Sequence, residues 1–137
     1  MSELDDFLAW IDERQRPAEL AIHNGDPEPR LAIWSHDEPV TLFGAKFSAS
    51  GWPDVSRVFR HLAERFSDCT SYEYEVIAAG VSGDTAYTVG YERTTVSIHG
   101  QPQSYTRRVT HAYRRDHGEW KIAHRHGDAP PADTLPG

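Results

Sequence analysis

The sequence predicts one α+β domain, in which three N-terminal helices pack against a curved antiparallel β-sheet. Two observations lead to this prediction. Up to Ser67, apolar residues recur at the spacing of helices, and after Ser67 they recur with a period of two, which is typical of strands. In addition, 137 residues suffice for one core and one domain. A strongly curved sheet wrapped over helices makes a cone, so we expect this domain to enclose a pocket.

Three helix starts are marked by residue types that favour the first turn of a helix: Ser2, Asp26-Pro27 and Pro53. The first helical pattern ends at Asn24-Gly25, and the second, shorter one reaches Trp34. The third pattern keeps apolar residues on one helix face as far as residue 66. Two short strands are expected between the second and third helices, at residues 40–44 and 46–47.

Four longer strands are predicted in the second half of the chain, where apolar and polar residues alternate. Asp116-His117-Gly118 fits a three-residue hairpin turn with Gly118 in the left-handed conformation. The tail from residue 128 to 137 contains three prolines and little to bury, so we expect a flexible segment after a domain of residues 1–127. The four predicted strands are residues 72–79, 85–97, 105–115 and 119–126.

The composition excludes several function classes. A net charge of −7 argues against a nucleic-acid partner, because phosphate binding needs a basic surface. No apolar run approaches the roughly 18 residues of a membrane span, so no membrane partner is expected. Acidic residues such as Asp5 and Asp12 interrupt the start of the chain, which is unlike a signal peptide. Cys69 is the single cysteine, which suits a reducing cytoplasm.

The segment from Tyr105 to His126 resembles the closing hairpin of SnoaL-like domains in the ketosteroid-isomerase-like, or NTF2-like, superfamily. Those hairpins commonly combine an Arg-x-Thr strand, a turn with Gly, Trp-x-Ile and a terminal His. Residues 82–86 resemble the turn before the family's long central strand, and residues 34–44 resemble its passage from second helix to first strand. The order of elements agrees over about residues 3–127. The resemblance implies a cone-shaped fold, a pocket between sheet and helices, and a homodimer formed through the outer sheet face.

The resemblance does not carry one reaction with it. The superfamily includes isomerases, cyclases, dehydratases, kinase-association modules and proteins without chemistry, so function has to be argued from the site. Steroid isomerases use an Asp base together with a Tyr and a protonated Asp. Here the base would fall at about Thr41 or Leu42, and the first helix has no Tyr. The steroid-isomerase catalytic set is therefore absent.

Strand alternation predicts which side chains of the last hairpin face the cone. If Arg115 lies opposite Glu119, then Arg114 lies opposite Trp120. The large apolar side chain of Trp120 identifies its face as the buried one. Tyr105, Val109 and Tyr113 then fall on the outer face and form the expected homodimer surface. The face predicted to line the cone carries Arg108, Thr110, Trp120, Ile122, His124 and His126.

Buried charges need a partner, and a binding pocket is one explanation for them. In this hypothesis Arg108, His124 and His126 bind or polarise a ligand oxygen and transfer protons, with Asp37 or Glu92 as the balancing carboxylate. Alternatively, Arg108 forms a structural ion pair with Glu92 or Asp37, and His126 caps the open end of the sheet. The predicted catalytic set is His124, His126, Arg108 and Asp37, and the predicted ligand-binding set is Trp34, Thr110, Trp120 and Glu92.

These residues predict a SnoaL-like protein that binds a small, largely apolar organic molecule. Acid–base chemistry of an isomerase or cyclase would fit the two histidines, and a non-catalytic ligand-binding or dimerisation module is the alternative. His124-x-His126 also resembles half of a metal site, but no third ligand is indicated, so neither metal nor cofactor is predicted. Cys69 has no histidine near it in sequence, which disfavours a nucleophilic role.

Overall fold

The computed structural model describes residues 2–132 and has the predicted α+β architecture, with helices packed inside a curved sheet. The first helical stretch is continuous, but its middle turn is a π-helix. Ser2 caps it as predicted, because its hydroxyl accepts a hydrogen bond from the backbone N–H of Asp5 at 3.1 Å. The helical elements are α1 (Glu3–Trp10), a π-helical turn (Ile11–Gln15), α2 (Arg16–Ile22), α3 (Glu28–Ile33) and α4 (Trp52–Arg65).

Six strands form one sheet in the order β2-β1-β6-β5-β4-β3. Neighbouring strands are antiparallel except for β1 and β6, which are parallel, so the expectation of a wholly antiparallel sheet is corrected. A parallel pair requires a long connection, and here α4 and four strands lie between its members in sequence. The strands are β1 (Thr41–Phe43), β2 (Ser48–Ser50), β3 (Phe66–Ser82), β4 (Thr85–Ile98), β5 (Gln101–Asp116) and β6 (Glu119–Asp128).

The turn between β5 and β6 is shorter than predicted. Its two residues, His117 and Gly118, have φ angles of 53° and 81°, as in a two-residue hairpin turn with both central residues left-handed. Asp116 therefore pairs with Glu119, and Arg115, not Arg114, pairs with Trp120. This shift by one residue moves the odd-numbered residues of β5 to the inner face. Val109 and Tyr113 are only 1% and 2% exposed, and the Tyr105 hydroxyl lies 3.4 Å from His23 on the inner side, so the predicted outward placement of all three residues is wrong.

A β-bulge in β6 changes the alternation a second time. Tyr113 pairs with Ile122, whereas the preceding Ala112 pairs with His124, so Ala123 is the extra residue. Before the bulge, Ile122 points into the core. After the bulge, Arg125 lies on the inner face, and His124 and His126 lie on the outer face.

β3 and β4 approach each other closely at an irregularity in their pairing. A second bulge in β3, between Val76 and Ala78, leaves Ile77 exposed on the outer face. Opposite this bulge a Cβ on Gly90 would lie 2.1 Å from the carbonyl oxygen of Glu75, so only glycine permits the approach. The curvature leaves space between the helices and the strands β4 to β6.

Aromatic contacts fix the helices against the sheet. The ring of Phe7 packs edge-on against Tyr113 at 4.8 Å and against Trp120 at 5.2 Å between centroids. Trp34 is buried in the same way against Phe59 of α4, at 5.0 Å. Both predicted pocket tryptophans thus belong to the packed core.

The ends of the described chain bear on two further expectations. β6 ends at Asp128, so the first residue of the predicted tail is part of the sheet. The predicted flexibility of residues 133–137 lies outside the described residues. Within residues 2–132, no helix combines the length and the apolar character that crossing a membrane demands.

Candidate functional site

The structure places Arg108, Thr110, His124 and His126 on the outer face of the sheet, and their predicted inward placement is wrong. The two-residue turn reverses the parity of β5, and the bulge at Ala123 reverses that of β6 after Ile122. Arg108 donates two hydrogen bonds to the carboxylate of Asp128, at 2.8 and 2.7 Å.

Three of these residues do come together, in a groove on that outer face. Arg108, Thr110 and His126 line a shallow groove of about 350 Å³ with Val89 and Ile77. Arg108 is about half exposed and is paired with Asp128, so water and a counter-ion already compensate its charge. We therefore place the candidate site elsewhere. His124 lies where β6 pairs with β1, and its Nδ1 is 2.7 Å from the Oγ1 of Thr41.

The other predicted residues are divided between core, surface and cavity. Trp34 and Trp120 are buried in the core, where the guanidinium of Arg115 covers the Trp120 ring at 4.3 Å. Asp37 is exposed, and its backbone carbonyl accepts a hydrogen bond from Arg114. Glu92 is therefore the member of the predicted set that lines the interior cavity.

The interior cavity has a volume of about 160 Å³ and lies between α2, α3, α4 and the inner face of β4 to β6. Its apolar lining comes from β1, the loop after β1, α4 and the adjoining ends of β3 and β4. Polar groups of the helices and the sheet form the rest, the polar wall. The apolar residues are Leu42, Phe47, Val58, Leu62, Phe66 and Ile98, and the principal polar ones are His23, Arg30, Glu92, Tyr105, Arg107 and Arg125.

A buried ion pair forms part of the polar wall. Arg125 donates to both carboxylate oxygens of Glu92, at 2.6 and 3.1 Å, and Tyr72 donates to the second oxygen at 2.7 Å. Burial by itself would raise the pKa of the Glu92 carboxyl, but the Arg125 guanidinium outweighs burial and holds that pKa well below its usual range. Glu92 is therefore an ionised and fully occupied carboxylate.

A chain of hydrogen bonds continues from this pair through the interior. Arg125 lies 3.3 Å from Nε2 of His111, whose Nδ1 lies 3.4 Å from the hydroxyl of Tyr74. Burial, and then the nearby Arg125, lower the pKa of His111 well below its ordinary value, so the ring is neutral. Burial raises the pKa of Tyr74 to about 12, so its hydroxyl keeps its proton.

The chain ends at the π-helical turn. The hydroxyls of Tyr74 and Tyr113 both lie within hydrogen-bond distance of Thr88, at 2.7 and 3.1 Å. Tyr113 also donates to the side-chain oxygen of Gln15 at 2.6 Å. Pro17 cannot donate a backbone hydrogen bond, and the wider turn directly before it carries Gln15 inward.

A second polar group links α2, α3 and β5 at the cavity wall. Arg30 donates a hydrogen bond to Glu19, and both side chains are buried. The Nδ1 of His23 donates to the backbone carbonyl of Glu19 at 2.6 Å, so a neutral ring has its lone pair on Nε2. Nε2 lies 3.4 Å from the hydroxyl of Tyr105. Burial and the charge of Arg30 lower the pKa of His23, which favours this neutral form.

Comparison with known proteins identifies the domain. A family model described as SnoaL-like domain matches residues 18–132. The chain belongs to the SnoaL-like domain family. Among curated proteins, none matches it in sequence.

Solved structures show the same fold at low identity. A proposed dehydratase of the NTF2-like family from Streptomyces avermitilis is 18% identical with a TM-score of 0.76, covering 93% of this chain and 99% of that chain. An NTF2-like protein of unknown function from Pseudomonas putida KT2440 is 19% identical with a TM-score of 0.72, covering 91% and 85%. An NTF2-like superfamily protein from Salmonella enterica is 18% identical with a TM-score of 0.70, covering 89% and 94%. These likenesses confirm the NTF2-like cone.

Other kinds of site have little support in this SnoaL-like domain. In the part of the chain that the structure describes, no three His, Cys, Asp or Glu side chains are grouped closely enough to hold a metal. Cys69 donates to the carbonyl of Ser71 at 3.5 Å, and burial raises the pKa of its thiol, which disfavours the reactive thiolate.

The neutral, buried His111 makes the stability of the domain dependent on pH. Below the ordinary value of 6.5 the unfolded chain takes up a proton that folded His111 refuses, so stability is fully present above pH 6.5 and declines below it. Between pH 6.5 and 5.5 this residue should cost about 1 kcal/mol of unfolding free energy.

Urea denaturation at pH 7.5, 6.5 and 5.5 should therefore show a smaller acid loss for His111→Gln than for the unchanged protein. His126→Gln, on the exposed outer face, is the control and should keep the full loss. Equal acid losses in all three proteins would contradict a neutral His111 in the folded state.

Proposed function

We propose that this SnoaL-like domain binds a small, largely apolar organic molecule in the cavity between α2, α3, α4 and the sheet. The observation that carries the proposal is the composition of the cavity wall. Apolar side chains such as Val58 and Leu62 line the cavity together with hydrogen-bonding groups such as Tyr105 and His23. This combination of apolar contact and a few oriented polar groups is typical of small-molecule sites.

The cavity volume limits the size of the ligand. An engineered cavity of about 150 Å³ in another protein accommodates benzene, and this cavity is of similar size, at about 160 Å³. A molecule with a single ring, or a short chain, matches that volume. Fused-ring substrates such as steroids would need a larger space, which agrees with the missing steroid-isomerase residues at Thr41 and Leu42.

His23 and Tyr105 are the pair best suited to acid–base chemistry at this site. Neutral His23 offers a lone pair on Nε2, and Tyr105 keeps its proton because burial raises the pKa of its hydroxyl. One group can accept a proton from a bound molecule while the other donates one to its oxygen. Isomerisation, cyclisation and loss of water all use such transfers, and the description of the Streptomyces relative as a proposed dehydratase is in keeping with this chemistry.

A non-catalytic binding module is the second candidate, and the ion pair favours it. Both oxygens of Glu92 are occupied by Arg125 and Tyr72, so this carboxylate has no free position for a substrate proton. In that case the same cavity binds its ligand without changing it.

Filling the cavity tests the binding function. Val58→Trp places a larger side chain into the cavity from α4 and should abolish the thermal stabilisation produced by single-ring ketones and acids in a shift assay. Arg57→Trp, one position earlier on the solvent-exposed side of the helix, is the matched control and should respond as the unchanged protein does. Identical ligand responses in Val58→Trp and the unchanged protein would locate binding outside this cavity.

Removing the imidazole separates the two candidate functions. The test uses a compound from that screen that the protein also converts. His23→Gln should lower kcat for this compound at least about a hundredfold, because general acid–base catalysis contributes a factor of about 10²–10⁴. The Kd for the same compound should change only a few-fold. NMR of the reaction mixture measures turnover, and calorimetry measures Kd. If the unchanged protein binds the compounds but converts none of them, the domain is a non-catalytic binding module.

We also propose a homodimer through the outer face of the sheet, with residues that differ from those predicted. Ile77, Tyr87 and Val89 are 58%, 47% and 40% exposed on neighbouring strands, and together they form an apolar surface that includes one side of the outer groove.

Charge on this surface should therefore separate the subunits. Val89→Lys should give the monomer mass in light scattering at micromolar concentration, because a dimer interface would bury the new ammonium. Leu20→Lys changes a similarly exposed apolar residue on α2 and should leave the dimer intact. A monomeric unchanged protein, or a dimeric Val89→Lys variant, would refute this interface.

A further inference from the structure

We propose that the molecule held in the cavity is a carboxylate, and that Arg107 is the residue that binds its charged end. The inference deepens the proposed binding function and rests on it. It follows from the charges of the cavity wall, from the surroundings of Arg107 and from the size of the cavity.

The cavity is basic although the chain is acidic overall. Five cationic side chains line it, against one carboxylate, that of Glu92. Two of the five already have a counter-ion, since Arg125 pairs with Glu92 and Arg30 pairs with Glu19 behind the wall. Three positive charges remain, in a protein whose net charge is −7. These three are Arg107, Arg65 and Lys46.

Arg107 is half-buried, yet within residues 2–132 no carboxylate lies within 4.0 Å of its guanidinium. Its contacts are the ring of Tyr105, at 4.5 Å from the centroid, and a long hydrogen bond of 3.4 Å to the carbonyl of Thr106. By contrast, Arg93 on the outer face of β4 contacts the carboxylates of Glu73 and Glu75. A half-buried cation without a counter-ion is costly, and an anionic ligand would offset that cost.

The natural counter-ion within the domain is unavailable to Arg107. Glu92 lies directly opposite Arg107 in the pairing of β4 with β5. However, Arg125 occupies both of its carboxylate oxygens, and Tyr72 donates to one of them. The guanidinium therefore keeps its donors for another partner, and its planar fork matches the two oxygens of a carboxylate.

Cavity size and wall chemistry define the rest of the ligand. The volume of about 160 Å³ fits a single ring or short chain against Leu42, Val58 and Leu62. His23 and Tyr105 lie on the same wall as Arg107, so a carboxylate bound there would bring its neighbouring atoms to the proposed acid–base pair. The ligand class is therefore a small aromatic or aliphatic carboxylic acid.

Two probes of the same shape test the charge. Benzoate and benzamide share a ring and differ by one negative charge, and both suit the cavity volume. Calorimetry at low ionic strength should show benzoate binding about ten to a hundred times more tightly, the usual advantage of a charge-assisted hydrogen bond. The difference should shrink as salt is added, because salt screens the cationic wall.

Substitution of the arginine assigns this advantage to one residue. Arg107→Gln should weaken benzoate about tenfold or more and leave benzamide unchanged, while Arg107→Lys should recover part of the loss because it keeps the charge. Arg93→Gln, on the neighbouring strand but with its side chain on the outer face, is the control and should affect neither probe. Circular dichroism establishes that each variant is folded.

The outcomes distinguish this inference from the function on which it rests. Equal affinities for benzoate and benzamide, both abolished by Val58→Trp, would overturn the carboxylate assignment and leave the binding function standing. Inorganic phosphate that displaces benzoate at similar concentration would overturn the choice of a carboxylate over other anions. If neither probe nor any other single-ring compound binds, both proposals fail.

Discussion

The interior of this domain depends on one buried ion pair, between Glu92 of β4 and Arg125 of β6. The two strands flank β5, so the pair connects them across it and lies next to His111. Such a pair is tolerated because each carboxylate oxygen is hydrogen-bonded, and removal of either partner alone would cost about 3–5 kcal/mol. By occupying Glu92, the pair also leaves Arg107 without a carboxylate counter-ion among residues 2–132.

The pair exists because of one additional residue in β6. In a regular strand the inner positions after Ile122 would be 124 and 126, and two histidines would enter the cone. Ala123 inserts a residue into the strand, so Arg125 turns inward instead. The bulge thus exchanges two titratable rings for a permanent positive charge, and it changes the kind of ligand that the cavity can hold.

The fold could be predicted from the sequence because it depends on periodicity, which is averaged over many residues. The change at Ser67, the cap at Ser2 and the long strands are signals of this kind. The site depends on single residues of register, and these were not predictable. A turn of two residues instead of three reversed β5, and nothing in the alternation indicates the bulge at Ala123. Glu92 was named only as one of two alternative carboxylates, with Asp37, and His23 and Arg107 were missed.

The interior therefore has two parts with different degrees of saturation. From Gln15 to Arg125, side chains form a connected series of hydrogen bonds that makes this part a rigid support, and the buried amide nitrogen of Gln15 at its end has no partner in the described chain. On the cavity wall, Arg107 has no carboxylate partner in the described chain, and Nε2 of His23 has only a long contact to Tyr105. A binding site is expected where the protein leaves polar groups for another molecule to satisfy. An anion bound there would compensate the charge of Arg107, which no carboxylate of the described chain does. Its binding free energy would therefore add directly to the stability of the folded state.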